Sequence, residues 1–221
     1  MKSFCMDGED EYRLGQGNYH HDNLKSELIE KGLKLLDKEG YEGFSLRKVA
    51  KACNASHAAP YRHFKNKDEL ILAIAEEAMH KFGGVLQQAV DKYPDNPEYQ
   101  LKEMGCAYIQ FFVENPEYLR LMFLSDLKEK MKDSLENPEN CSYATNINND
   151  DPFKILAETV KRYKVKNQSD STSSIDEDAL VLHCWGLVHG VAILIARKEF
   201  TFQGNYLELV KKLIWNHEFS D

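Results

Sequence analysis

Cysteine is scarce and unpatterned: Cys5, Cys53, Cys106, Cys141 and Cys184 are five in 221 residues, and no two stand in a CxxC spacing. That argues against a disulfide framework and a cysteine zinc site and fits reduced thiols in a cytoplasm. The adjacent His20 and His21 would point about 100° apart on a helix, with no third ligand nearby, so no metal is expected. No glycine-rich phosphate loop, nucleophile elbow, HExxH or paired-carboxylate constellation occurs, so neither a cofactor nor enzyme chemistry is expected. A membrane-length apolar run is read as missing, because His183 and His189 interrupt the best candidate. Residues 1–18 hold Asp7, Glu9, Asp10 and Glu11 and do not read as a signal peptide. Strand alternation of useful length is absent, and so is any internal repeat. What remains is a helical chain with the composition of a soluble protein, long enough for one to two domains and a substantial core.

Charge is the first positive signal. Between Ser45 and Lys67 stand Arg47, Lys48, Lys51, Arg62, Lys65 and Lys67 with no Asp or Glu, a patch of +6; the chain totals −8, so the other residues carry −14. A small basic patch on an acidic protein is an electrostatic footprint for an anion. Local signals in the same stretch describe two short helices and a tight turn. Ser45 is a good N-cap, and Leu46, Val49, Ala50 and Cys53 follow at helical spacing. Asn54 tolerates the left-handed backbone that ends such a helix. Ser56 is expected to cap a second helix through Phe64, in which Pro60 costs only the first intrahelical bond. Asn66 and Glu69 have capping-box spacing for a third. A helix-turn-helix with this charge points to DNA; the plainer reading is a solvated helical hairpin.

These residues carry a resemblance. Ser45, Arg47, Val49-Ala50, Ser56, Tyr61, Phe64, Lys67 and Leu70 resemble the DNA-binding domain of the tetracycline-repressor (TetR) family of transcriptional regulators. Tyr19-His20-His21, Asn23-Leu24 and the run His57 to Phe64 are similar to one branch of it. The resemblance is specific over residues 19–82. The family usually has Gly where this chain has Asn54, and a larger apolar residue at Ala55. Trp185 to Gly190 (WGLVHG) resembles a motif of one C-terminal subtype. The resemblance implies an all-α fold: an N-terminal three-helix domain with a helix-turn-helix at about 45–64, and a larger C-terminal helical domain for regulation and dimerisation.

Along the chain, residues 1–18 read as a mobile arm and 19–82 as the DNA-binding domain, with 83–221 as the ligand-binding and dimerisation domain. Helices are expected at Asn23–Glu39, at Lys67–Lys92, at Tyr99–Glu114 and from Glu117 onward, with an amphipathic continuation to Leu135. Others are expected at Phe153–Tyr163, Asp176–Lys198 and Tyr206–His217, with loops over 137–152 and 166–178. The helix from Asp176 is apolar nearly all round, which predicts burial on every side. Val188, Val191, Ile195, Val210, Leu213 and Ile214 are the expected homodimer interface.

The expected DNA contacts fall into two groups. Arg47, Lys48, Lys65 and Lys67 would neutralise phosphates, and the cap residues Ser45 and Ser56 are counted with the DNA-binding residues. His57, Ala58, Ala59, Tyr61, Arg62 and His63 would face bases: alanine methyls suit thymine, and Arg62 suits a guanine edge. Phe64 reads as core. An effector pocket is expected among Tyr108, Phe111, Phe112, Met122, Phe123, Trp185 and His189, for a small apolar or amphipathic molecule, although aromatics at helical spacing are often plain core. The expected partners are thus double-stranded operator DNA, that effector and a second copy, and the expected compartment is the cytoplasm. A ligand-released regulator, usually a repressor, is one reading; a TetR-like protein-binding co-activator that has lost DNA recognition is the other.

Overall fold

A computed structural model describes residues 19–124, 126, 151–167, 176–198 and 204–216. The expected arm at 1–18, the continuation to Leu135 and most of the two expected loops lie outside the described residues. Within them the chain is all-helical: α1 (Tyr19–Gly43), α2 (Leu46–Ala52), a 3-10 turn (Pro60–Arg62), α3 (Lys67–Asp91), α4 (Pro97–Glu114), α5 (Pro116–Leu119), a π turn (Arg120–Leu124), α6 (Pro152–Lys166), α7 (Glu177–Ala196) and α8 (Tyr206–Trp215).

Helix ends follow the side chains that cap them. Asn96, Asp151 and Asn205 accept from the N–H of Tyr99, Phe153 and Leu207 at 3.3, 3.0 and 2.9 Å, which satisfies otherwise orphaned donors. Pro97, Pro116 and Pro152 each open a helix, where a missing N–H does no harm. The regular part of α1 stops at Gly40, whose φ of 68° and ψ of 179° are not helical.

α1, α2 and the turn region close over Leu28, Phe44, Val49, Phe64, Leu70 and Ile74, all at most 2 % exposed. α3 leaves this unit and runs into the larger one, where Phe82 meets the rings of Tyr108, Phe111 and Phe112. α4 is the hub and packs on α3, α6, α7 and α8. At Gly105 an added Cβ would lie 3.3 Å from side chains of both Val188 and Ile214, so the missing side chain sets how closely α7 and α8 approach α4.

Two expectations are corrected. α7 is not buried on every side: Leu182 and Leu194 are 67 % and 46 % exposed in the protomer. It is also long and apolar enough to cross a membrane by length and composition, and is the one such helix among the described residues. The two histidines did not break that run, because span length tolerates isolated uncharged polar residues. Here α7 packs on α4 and α6.

Candidate nucleic-acid interface and effector cavity

The basic unit is built by its caps and turn. Ser45 Oγ accepts from the Lys48 N–H at 3.3 Å. After α2, the Asn54 N–H donates to Lys51 O at 3.2 Å and the Ala55 N–H to Ala50 O at 2.9 Å. This bond pair is the Schellman motif, and Asn54, at φ 53°, fills the left-handed position usually given to glycine. The half-buried Ala55 packs against the core.

The expected α-helix from Ser56 to Phe64 does not form. The Ala59 N–H donates to Ser56 O at 3.0 Å; Pro60–Arg62 is a 3-10 turn, and the His63 and Phe64 N–H groups share Pro60 O at 2.9 Å. Pro60 has no N–H to return to Ser56, so the first α-helical bond is lost and the segment tightens. The short element still sorts its residues. Pro60 and Phe64 face the core, Phe64 at 1 % exposure; Ser56, His57, Ala58, Tyr61 and Arg62 face outward, and Ala59 and His63 are half-buried.

The six cations divide. Arg47, Lys48, Lys51, Arg62 and Lys65 are exposed and Lys67 is half-buried, but Lys48 and Lys67 are already engaged. Lys48 Nζ sits 2.5 Å from the Glu39 carboxylate and 2.7 Å from Gly43 O. Lys67 Nζ lies 3.6 Å over the Tyr41 ring, and Tyr41 OH donates to Asp68 at 2.9 Å. Desolvation by burial, followed by the Asp68 carboxylate, pushes the Tyr41 phenol up to about 12, so it stays protonated. These two lysines fasten the end of α1 to the basic unit, a role that composition alone does not reveal. At the start of α3, Asn66 accepts from the Glu69 N–H at 2.9 Å while the buried Glu69 carboxylate accepts from the Lys65 N–H.

A second site lies between α3, α4, the π turn, α6 and α7: a cavity of about 520 Å³ lined by Ile71, Met79, Phe82, Tyr108, Leu121, Met122, Phe123, Phe153, Trp185 and others. Of the expected pocket residues, Tyr108, Met122, Phe123 and Trp185 line it. Phe111 and Phe112 do not; they are 8 % and 0 % exposed, and Phe111 stacks on Tyr118 at 5.6 Å. Helical spacing places both rings on the inner side of α4, and only the packing of neighbours decides which rings border empty space. His189 sits behind the wall, its ring 4.7 Å from that of Phe123. Trp185 Nε1 donates to Tyr108 Oη at 3.3 Å, and His189 Nδ1 is 2.8 Å from the same oxygen. Burial raises the Tyr108 pKa and lowers that of His189, so both favour their neutral forms. Burial also pushes the Cys53 thiol up to about 11 and the Cys184 thiol up to about 12, and raises that of Cys106; these three are poor thiolates and poor redox sensors.

Sequence reading did not find the junction between the units. Arg120, at the start of the π turn, donates to both carboxylate oxygens of Asp37 on α1, at 2.5 and 2.8 Å. The same five-residue turn carries Met122 and Phe123 into the cavity wall.

Of the expected interface residues, Val188, Val210 and Ile214 are at most 8 % exposed inside the protomer. They are corrected to intrachain core: Val188 and Ile214 pack at Gly105 on α4, and Val210 is 1 % exposed. Val191 and Ile195 are half-buried and Leu213 is 38 % exposed. The outward apolar face is instead Leu182, Leu194, Leu209 and Leu213, with Gly186 and Gly190 open to space.

Comparison with known proteins agrees with this architecture. Residues 28–74 match the family described as bacterial regulatory proteins, tetR family, and residues 101–214 match the tetracyclin repressor-like C-terminal domain. An uncharacterized HTH-type transcriptional regulator of Haemophilus influenzae is 28 % identical over 121 residues, 55 % of this chain and 64 % of that protein. The chain thus spans under two thirds of the length of this curated relative. A Rhodococcus protein of unknown function superposes with a TM-score of 0.64 at 24 % identity, covering 91 % of this chain and 98 % of the other. The regulator AibR, solved with isovaleryl coenzyme A and operator DNA, superposes with a TM-score of 0.55 at 19 % identity, over 85 % and 94 % of the two chains.

Proposed function

The chain belongs to the TetR family of bacterial regulatory proteins, and on that premise we propose that it is a ligand-released repressor that binds operator DNA as a homodimer in the cytoplasm. The observation that carries this reading is the outward face of the basic unit. Ser56, His57, Ala58, Tyr61 and Arg62 stand exposed beside the exposed cations Arg47, Lys51 and Lys65. Residues 19–82 act as the DNA-binding domain and 83–221 as the regulatory one. Arg47 and Lys65 neutralise phosphates and set register, while Arg62 reads a base edge. Lys48 and Lys67 contribute to the local field while holding α1 in place. A two-fold dimer sets two such elements about 34–36 Å apart, in successive major grooves.

The effector is a small molecule taken up in the cavity beside Tyr108 and Trp185. AibR, a fold relative crystallised with both operator DNA and an acyl coenzyme A, supports pairing a cavity of this kind with DNA release. The segment Trp185 to Gly190 places two side chains, Trp185 and His189, on the Tyr108 hydroxyl and two glycines outward, a division that suits a subtype motif serving both cavity and dimer. The signal travels by α3, which begins at the basic unit and lines the cavity, and by the Arg120–Asp37 pair.

The experiment is to mix the purified protein with fragmented genomic DNA and sequence what it retains. A two-fold-symmetric site is the expected enrichment. Retention of no DNA, together with no binding to heparin at low salt, favours the co-activator reading and overturns this one.

A further inference from the structure

The charge inventory of the cavity constrains what fills it. Among the described lining residues there is no lysine, arginine or histidine, and one carboxylate, Asp151. Asp151 is already committed: it caps α6 by accepting from the Phe153 N–H at 3.0 Å, and the positive end of that helix offsets its charge. The other described lining residues with a polar side-chain atom able to donate or accept are Tyr108, Trp185 and Cys184, and the Tyr108 hydroxyl is the one that bonds to two of its neighbours. A phenol oxygen offers one donor and two acceptor positions. Trp185 Nε1 takes one acceptor position at 3.3 Å, and His189 Nδ1, at 2.8 Å, takes either the donor or the second acceptor, according to its tautomer. One position is left over. It is an acceptor in one tautomer and a donor in the other, and a ligand hydroxyl satisfies both.

Resting on the reading of this cavity as the effector site, we infer that its ligand is an uncharged, hydroxyl-bearing aliphatic or aromatic molecule whose hydroxyl bonds to Tyr108, and that carboxylates and ammonium ions are rejected. A carboxylate here would lose its water and meet no cation among the described lining residues, and an unpaired buried charge is far costlier than an unpaired hydroxyl. An ammonium would gain ring faces from Phe123 and Trp185, but the one carboxylate among the described lining residues is engaged at the α6 cap. A cavity of about 520 Å³ lies in the range that takes drug-sized molecules.

The test uses the full chain carrying Trp215→Phe. The chain has two tryptophans, so this leaves Trp185, on the cavity wall, as the sole indole reporter; the new ring can still pack on Tyr93 and Tyr99. Fluorescence titrations compare 1-decanol, decanoate and decylammonium at pH 7.5, the alcohol below its solubility limit and the two ions below their micelle concentrations. Decanol should bind on the order of tenfold or more tighter than either charged probe. Adding Tyr108→Phe should weaken decanol about 2- to 10-fold, the net worth of one hydrogen bond, and leave the charged probes unmoved. A charged probe that matches or beats decanol, or a Tyr108→Phe change without effect on decanol, overturns the inference. If such a charged probe also releases DNA, the effector reading survives that failure; if none of the three probes binds, both fall while DNA binding stands.

Discussion

Asn54 holds the turn between α2 and the 3-10 element at φ 53°. A left-handed backbone costs an ordinary L-residue roughly 1–2 kcal/mol, and least for Gly, Asn and Asp. Asn54→Gly should therefore unfold in urea close to wild type, whereas Asn54→Val should lose about 1–2 kcal/mol. Equal midpoints for Asn54→Val and wild type would show that the turn does not depend on this residue. The turn was legible in the sequence because its cause is local: an asparagine at a helix end. The fates of Lys48 and Lys67 were not, since Glu39, Gly43 and Tyr41, which hold them, lie on another helix. A run of basic residues gives the charge of a patch but not which cations remain free to meet phosphate.

At the scale of elements, helix placement was largely readable, because caps and prolines act within a few residues. The recognition element was the exception. Periodicity and Ser56 pointed to an α-helix, and the absent N–H of Pro60 won locally. Faces were harder to read than ends. Uniform apolarity along α7 implied burial without saying by what, and intrachain packing at Gly105 took Val188 and Ile214 inward while leaving Leu182 and Leu194 outside. With only 28 % of the most apolar stretch of α7 buried in the protomer, a second copy is the expected cover, and stable interfaces of this kind bury about 2,000 Å² or more. Leu194→Glu or Leu213→Glu should give monomers with the same helix content by circular dichroism, because both side chains are exposed in the protomer. Wild-type monomers in sedimentation at micromolar concentration would contradict the dimer. The Arg120–Asp37 pair joins a different set of elements, α1 and the π turn. If it transmits effector binding, Asp37→Asn should reduce the factor by which effector weakens operator binding, a coupling of about 1–3 kcal/mol in typical cases. An unchanged factor would leave the pair as a surface contact and α3 as the carrier.

At the scale of the molecule, the chain combines a net charge of −8 with a basic face. The residues outside the basic stretch carry a net −14, so approach to DNA by the basic face is the electrostatically favoured one. By linkage, any effector that weakens DNA must itself be weakened by DNA to the same degree. The central claim is that the exposed face of residues 45–67 holds DNA and that Arg62 reads it. The most direct measurement is fluorescence anisotropy on a retained DNA fragment across a salt series, for wild type, Arg47→Ala and Arg62→Ala. The account predicts that Arg47→Ala weakens all sequences alike and lowers the salt slope by about one. It predicts that Arg62→Ala costs about 1–3 kcal/mol on the retained sequence and flattens its preference over unrelated DNA. Three superimposable titrations, at every salt concentration and on both sequences, would contradict it.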